Sequence, residues 1–427
     1  MRIHPTFTAG ILCLAAAASL ESQTIAITGG RVLSAAGAPI ENGTVLIRDG
    51  RIAAVGTNVA IPADAQRVNA AGKWVTPGLI NAATQLGLVE VGAEAPTRDA
   101  SARGEDNIAA AFTVWEGLNP ASVHLAPARD EGITTVILTP GGGLISGQAA
   151  VVDLVDGSLS DMLVRAPVAM VAQIGSSGAA GVGARAELLI KLREVLADAR
   201  AYARRRADFE RAATREFAAS RLDLEALLPV LEGRVPLLIA ADRASDIEAA
   251  LKLASDFNLR VILAGAAEGW MLADKIAAAR VPVFTGAMNN IPGSFSTLGA
   301  AQESAGLLRR AGVDVVIIGD NGVSDPFTFN VRNLKQEAGN AVAYGMTWDD
   351  AFRAVTIAPA RVLGIADRYG SLEANKVANV VVWSGDPFEF GTRVEHVFVR
   401  GREITTANRQ ELLEQRYRTL PPDYRKP

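Results

Sequence analysis

From residue 79 onward the chain repeats one pattern: a short apolar run, then a stretch with helical periodicity. That recurrence limits the fold more than any other feature. The apolar runs read ITTVILTP from Ile133, APVAMVAQIG from Ala166, RVPLLIAA from Arg234, LRVILAG from Leu259, VPVFTG from Val281 and VDVVIIGD from Val313. Short runs this rich in Val, Ile and Leu read as strands buried on both faces. Helical patterns such as RASDIEAALKLASDF and EGWMLADKIAAA lie between them. Repeated βα units build a parallel sheet covered by helices. Residues 77–364 have room for a (β/α)8 TIM-like barrel. A doubly wound open sheet carries the same signature and stays open at this point.

The flanks follow a different period. Residues 24–76 alternate as short strands, with a hairpin signal at Asp49-Gly50 and punctuation at Thr76-Pro77-Gly78. Strand patterns return after residue 366, in GSLEANKVANVVVWSGDP and RVEHVFVRGREI. Each flank is too small to stand alone. The expectation is one small β-sandwich made of 24–76 plus 365–407, with the barrel (77–364) inserted and residues 408–427 as a peripheral tail. The Gly-rich stretch GSSGAAGVGAR reads as a loop. The long charged helix that follows carries Arg204-Arg205-Arg206, which reads as a solvated face.

Residues 1–22 have the layout of a secretory signal peptide. Arg2 precedes an apolar run, and small residues follow. The expectation is export to the periplasm or outside the cell. The single cysteine, Cys13, lies in this leader, so a processed chain has no disulfide, no thiolate ligand and no cysteine nucleophile. No other segment is long and apolar enough to cross a membrane. Lys and Arg number 42 against 46 Asp and Glu, and aromatics are 5%. That balance offers neither the basic footprint nor the stacking platforms of a nucleic-acid binder.

Three segments carry a family resemblance: VTPGLI at Val75–Ile80, GITTVILTPGGG at Gly132–Gly143, and TIAPARVLGIADRYGSLEANKVANVVVWSGDP. Together they resemble the amidohydrolase superfamily, in its imidazolonepropionase-like and dipeptidase-like branch, over nearly all of the chain after the leader. The resemblance implies a metal-dependent hydrolase of C–N bonds in cyclic amides or small peptides, normally using zinc or another divalent ion.

At the site the sequence departs from that family. After Pro-Gly-x-Ile the family has an Asp and then two His one residue apart. Here Asn81 takes the Asp position, and Ala83 and Gln85 take the His positions. The fifth-strand His position falls at Ala240, beside Ala241, Asp242 and Arg243, and the sixth-strand position at Ala264–Gly265, with Gly265 taken as the equivalent. The last-strand Asp is retained as Asp320. The whole chain has three histidines: His4 in the leader, His124 ahead of the strand at Ile133, and His396 in the C-terminal strand pattern. All three read as ordinary histidines, not ligands. No metal is therefore expected, since catalytic zinc takes three protein ligands and favours imidazole.

The missing metal matters energetically. A bound metal lowers the pKa of water from about 15.7 to about 7, worth roughly 12 kcal/mol toward hydroxide. A positioned general base supplies only about 10²- to 10⁴-fold, or roughly 3 to 5 kcal/mol. Asp320, the one catalytic candidate, cannot replace a metal centre alone. No G-x-S-x-G elbow offers a substitute nucleophile. Gln85, Asp242, Arg243 and Glu268, joined by Asn289-Asn290, are expected to line a polar mouth able to hydrogen-bond a ligand. The Gly141–Gly143 run reads as a tight turn.

Three readings follow. The first is a non-hydrolytic member of the fold, acting as a small-molecule binder or as a subunit beside an active paralogue or a second copy of itself. The second is a hydrolase with an atypical centre around Asp320 and Asp242. The third is a structural scaffold.

Overall fold

The computed structural model describes residues 24–102, 104, 107–175, 183–288, 290–319 and 328–418. The leader with His4 and Cys13, together with Asn289 and Asp320, lies outside the described residues.

The N-terminal strands are β1 (Thr24–Val32), β2 (Ile40–Arg48), β3 (Arg51–Gly56), β4 (Gln66–Asn69) and β5 (Trp74–Pro77). The barrel strands follow as β6 (Leu79–Thr84), β7 (Ile133–Leu138), β8 (Ile145–Asp153), β9 (Leu163–Gln173), β10 (Leu237–Ala241), β11 (Val261–Gly265), β12 (Val283–Thr285) and β13 (Val315–Ile317). The last are β14 (Val380–Trp383), β15 (Val394–Val399) and β16 (Arg402–Glu403).

Strands from both ends of the chain meet in one hydrogen-bonded sheet, ordered β16-β15-β14-β5-β1-β2-β3, with β4 added alongside β1. The chain closes on itself where β5 runs antiparallel to β14, from Trp74 opposite Trp383 to Pro77 opposite Val380. Strand alternation explains why Val-Val-Val-Trp is apolar throughout. Val380 and Val382 join Ile25, Ile27, Val45 and Ile47 in the sheet's own core, while Val381 and Trp383 pack into the large cluster that surrounds the barrel.

The barrel is an eight-stranded sheet in chain order, β6 to β13. Ile80, Ala82, Ile137, Val151, Val171, Leu238, Ile262, Phe284 and Val316 fill its interior as a packed core. The next residues along the strands, among them Val136, Met170, Ile239 and Leu263, face outward to the helices. The architecture is thus a TIM-like barrel with an extra sheet unit.

One strand departs from the βα repeat. β8 runs antiparallel to both β7 and β9, while the remaining paired neighbours are parallel. Gly142 and Gly143, both at positive φ, turn the chain from β7 into β8. That is the tight-turn role expected of the Gly run. At the seam, the backbone N–H of Ile80 donates to Val355 O at 2.9 Å, and Gly319 N–H reaches the Asn81 side chain. Among the described residues no helix is long and apolar enough to cross a membrane.

Candidate functional site

In a barrel of this kind chemistry collects where the parallel strands end at their C-termini. Asn81 sits there on β6, 1% exposed. Its Oδ1 accepts from Ala83 N–H at 3.3 Å and Gly319 N–H at 3.4 Å. Its Nδ2 is buried and has no hydrogen-bond partner among the described residues. Ala82 and Ala83 both belong to the interior cluster, and Gln85 is buried just beyond them.

On the far side Ala240 of β10 stands in register with Ala264 of β11. Ala264 belongs to the interior cluster and Ala240 packs against it. The interior position on β11 is therefore Ala264, one residue before the Gly265 assigned from sequence. Gly265 ends the strand at φ +79°. The shift leaves the chemistry unchanged, because neither residue offers a donor.

Asp242 follows β10. Burial pushes its carboxyl up to about 6; the Ala267 N–H opposes that rise, and the charges of Asp246 and Glu268 add to it. Asp246 is held by Arg185 Nε at 3.0 Å, and the same guanidinium reaches Ser296 Oγ at 2.9 Å. Glu268 is already committed. One oxygen caps Ala244 N–H at 2.8 Å and the other accepts Gly299 N–H at 3.1 Å. It therefore fixes two loops at the mouth, and neither oxygen is left over as a free pocket ligand. Arg243 is exposed at the start of helix Ala244–Phe257. Asn290 Nδ2 donates to Ala301 O at 2.8 Å, a loop-holding bond.

Several polar groups at this end were not singled out as site residues from sequence. Gln173 closes β9 and donates through Nε2 to Ser146 Oγ at 3.1 Å, with both side chains buried. Thr139 Oγ1 donates to Thr84 O at 3.4 Å. Glu337, fully buried, accepts Ala287 and Met288 N–H on one oxygen at 2.6 and 2.7 Å. Burial raises its carboxyl pKa, and its second oxygen has no partner among the described residues. Gln173 left a readable trace, a polar residue ending an apolar run. Glu337 left none, because its role depends on a loop about 50 residues earlier.

Two histidines are described, and neither stands at this mouth. His124 Nε2 lies 2.8 Å from Glu90 O, and His396 on β15 pairs with Glu403. Among the described residues no group of three or more His, Cys, Asp or Glu is arranged to hold a metal ion. The donor chemistry at the mouth agrees. Asn81 has its oxygen engaged by two N–H groups and presents only an amide nitrogen, which is not a metal ligand, and the facing alanines present nothing. These residues do not fit the zinc centre that the family resemblance implies.

Comparison with known proteins gives a consistent picture. A model of the amidohydrolase family matches residues 245–404. The amidohydrolase tasK of Hapsidospora irregularis is 25% identical over 190 residues, covering 44% of this chain and 19% of that protein. An imidazolonepropionase of Maricaulis maris is 32% identical over 95 residues, 22% of this chain and 23% of the relative. The chain therefore spans only about a fifth of the length of these relatives. An amidohydrolase structure from Thermotoga maritima superposes with a TM-score of 0.81 at 24% identity, over 90% of this chain and 100% of that one. Molinate hydrolase gives 0.57 at 21% identity, over 90% and 95%.

Proposed function

We propose that this chain, which a model of the amidohydrolase family matches over residues 245–404 and which shares the fold of an amidohydrolase, does not hydrolyse through a bound metal and that its barrel mouth binds a small molecule by hydrogen bonding. The observation that carries this reading is Asn81. Among the described residues its buried Nδ2 has no partner, and an unsatisfied buried donor costs about 1–3 kcal/mol. An acceptor oxygen on a ligand removes that cost. Gln173, Ser146 and Thr139 supply neutral polar groups at the same end of the barrel. The chain would be exported by its leader and would work alone or beside an active relative.

Elemental analysis of the purified protein tests this, after dialysis and again after exposure to Zn²⁺. The expected result is well under one equivalent of metal both times. One or more equivalents retained would overturn the reading. A specific observation favours a second reading. Asp242 is pushed up to about 6, which suits a general base or acid, and with Asp320 it could serve an atypical centre on C–N bonds. Turnover of a cyclic amide that disappears in Asp242→Asn would favour this second reading.

A further inference from the structure

The opposite, N-terminal face of the barrel carries a cleft of about 610 Å³, well away from the mouth. Arg260 borders it just ahead of β11, Arg280 just ahead of β12, and Arg361 from helix Ile357–Val362. One carboxylate, Asp314 ahead of β13, shares the lining with these three arginines. Apolar walls, including Leu251, Val281 and Val362, complete the lining.

The charges are unbalanced. Among the described residues none of the three arginines makes an ion pair with a carboxylate, although Arg260 donates to Gly233 O at 3.3 Å. The backbone gives an independent sign. Arg280 sits at φ +54°, in the left-handed region. Glycine takes that conformation freely, and asparagine is the next most tolerant. Asn258 fills the comparable turn after helix Ala244–Phe257, at φ +52°. An arginine held there keeps its charge on the cleft at a cost in backbone strain.

We propose that this cleft is a binding site for a small anionic molecule, an oxyanion (carboxylate or phosphate) on an apolar body. The arginines take the oxyanion and the aliphatic walls take the body. The volume suits a small ligand, since such pockets run from about 300 to 1,000 Å³. Planar guanidiniums match the geometry of carboxylate and phosphate oxygens.

The test is calorimetric titration of the full chain with phenylphosphate and, separately, benzoate, with benzamide as a neutral probe of the same body. Saturable binding of at least one anion is expected, weakening as salt rises, with no binding of benzamide. Arg280→Gly is the informative variant. Glycine relaxes the backbone, so thermal stability should hold or rise, while affinity falls about tenfold, the scale of one lost charge-assisted bond. Arg361→Ala should weaken binding similarly. The two anions tell a carboxylate preference from a phosphate one. Absence of saturable anion binding, equal binding of benzamide, or affinity unchanged in both variants would each overturn the proposal.

Discussion

At the residue scale the most consequential group is Asp242. A carboxyl raised from its ordinary 3.8 to about 6 holds its proton more tightly in the folded state than in the unfolded one. Its ionisation therefore works against folding. The penalty is absent below about pH 4, grows as pH rises toward 6, and is complete above that. A rise of roughly two units corresponds to at most about 3 kcal/mol, less where the side chain reaches solvent. Asp242→Asn keeps an acceptor for Ala267 N–H and removes the charge. The expected outcome is a melting temperature several degrees higher at pH 8 and a rise only about a third as large at pH 4.5. An equal shift at both pH values would show that the carboxylate is not destabilised. The same scale shows what was legible in the sequence. All three histidines could be counted, and the two that are described prove to be engaged elsewhere, at Glu90 and Glu403. The commitment of Glu268 to two backbone N–H groups could not be read, because both partners come from other parts of the chain.

At the element scale, the link from sheet to barrel rests on Gly78. A Cβ there would overlap the side chain of Thr134, whose own Cβ would be only 2.7 Å away. Thr134 is fully buried on β7, and among the described residues its Oγ1 lacks a partner. The Pro-Gly pair therefore does more than mark a turn, since it lets β6 enter directly against β7. Gly78→Ala should destabilise by about 1–3 kcal/mol, the usual range for overpacking. Thr134→Ala in the same chain should recover part of that loss, because it removes the nearest atoms. Denaturant midpoints of the four combinations check this, and strictly additive effects would mean that the two residues do not share the space. The elements that were easy to read are those with local cues, such as β10 and helix Ala244–Phe257. β8 escaped. In its sequence Ile-Ser-Gly-Gln-Ala-Ala-Val-Val-Asp, the first residue is followed by a run with little strand propensity, Ser-Gly-Gln-Ala-Ala. What makes it a strand is pairing on both sides and the approach of Phe112, whose carbonyl would lie 2.7 Å from a Cβ at Gly147. None of that is visible in a local window.

At the scale of the whole molecule, the question is what couples the sheet unit to the barrel. One buried network does so at the foot of the barrel. Asp153, 0% exposed, ends β8. Its carboxylate accepts from Thr135 Oγ1 at 2.8 Å, Tyr369 OH at 2.9 Å, Asn379 Nδ2 at 3.1 Å and Arg400 Nε at 2.6 Å. Arg400 follows β15 and also donates to Asp161 O at 2.7 Å. The donors thus come from the barrel, from the return segment and from the sheet, and they meet on one charge. Burial and the neighbouring Asp153 charge hold the Tyr369 hydroxyl well above its ordinary range, so it stays a donor at any ordinary pH. The two single replacements should not be equal. Arg400→Met strands a fully buried carboxylate, and losing one partner of a buried pair costs about 3–5 kcal/mol. Asp153→Ala leaves Arg400 only half buried, with carbonyl partners remaining, so it should cost less. The double variant, with no charge left to strand, should lie well short of the sum. Urea unfolding followed by tryptophan fluorescence measures all three, because Trp383 lies where sheet and barrel pack together. If both units unfold in one transition in the wild type and separate in Arg400→Met, the network is what makes them cooperative. Additive losses with a single transition throughout would instead assign the coupling to the apolar junction around Trp383 and Gly132, where a Cβ on the glycine would overlap the indole ring.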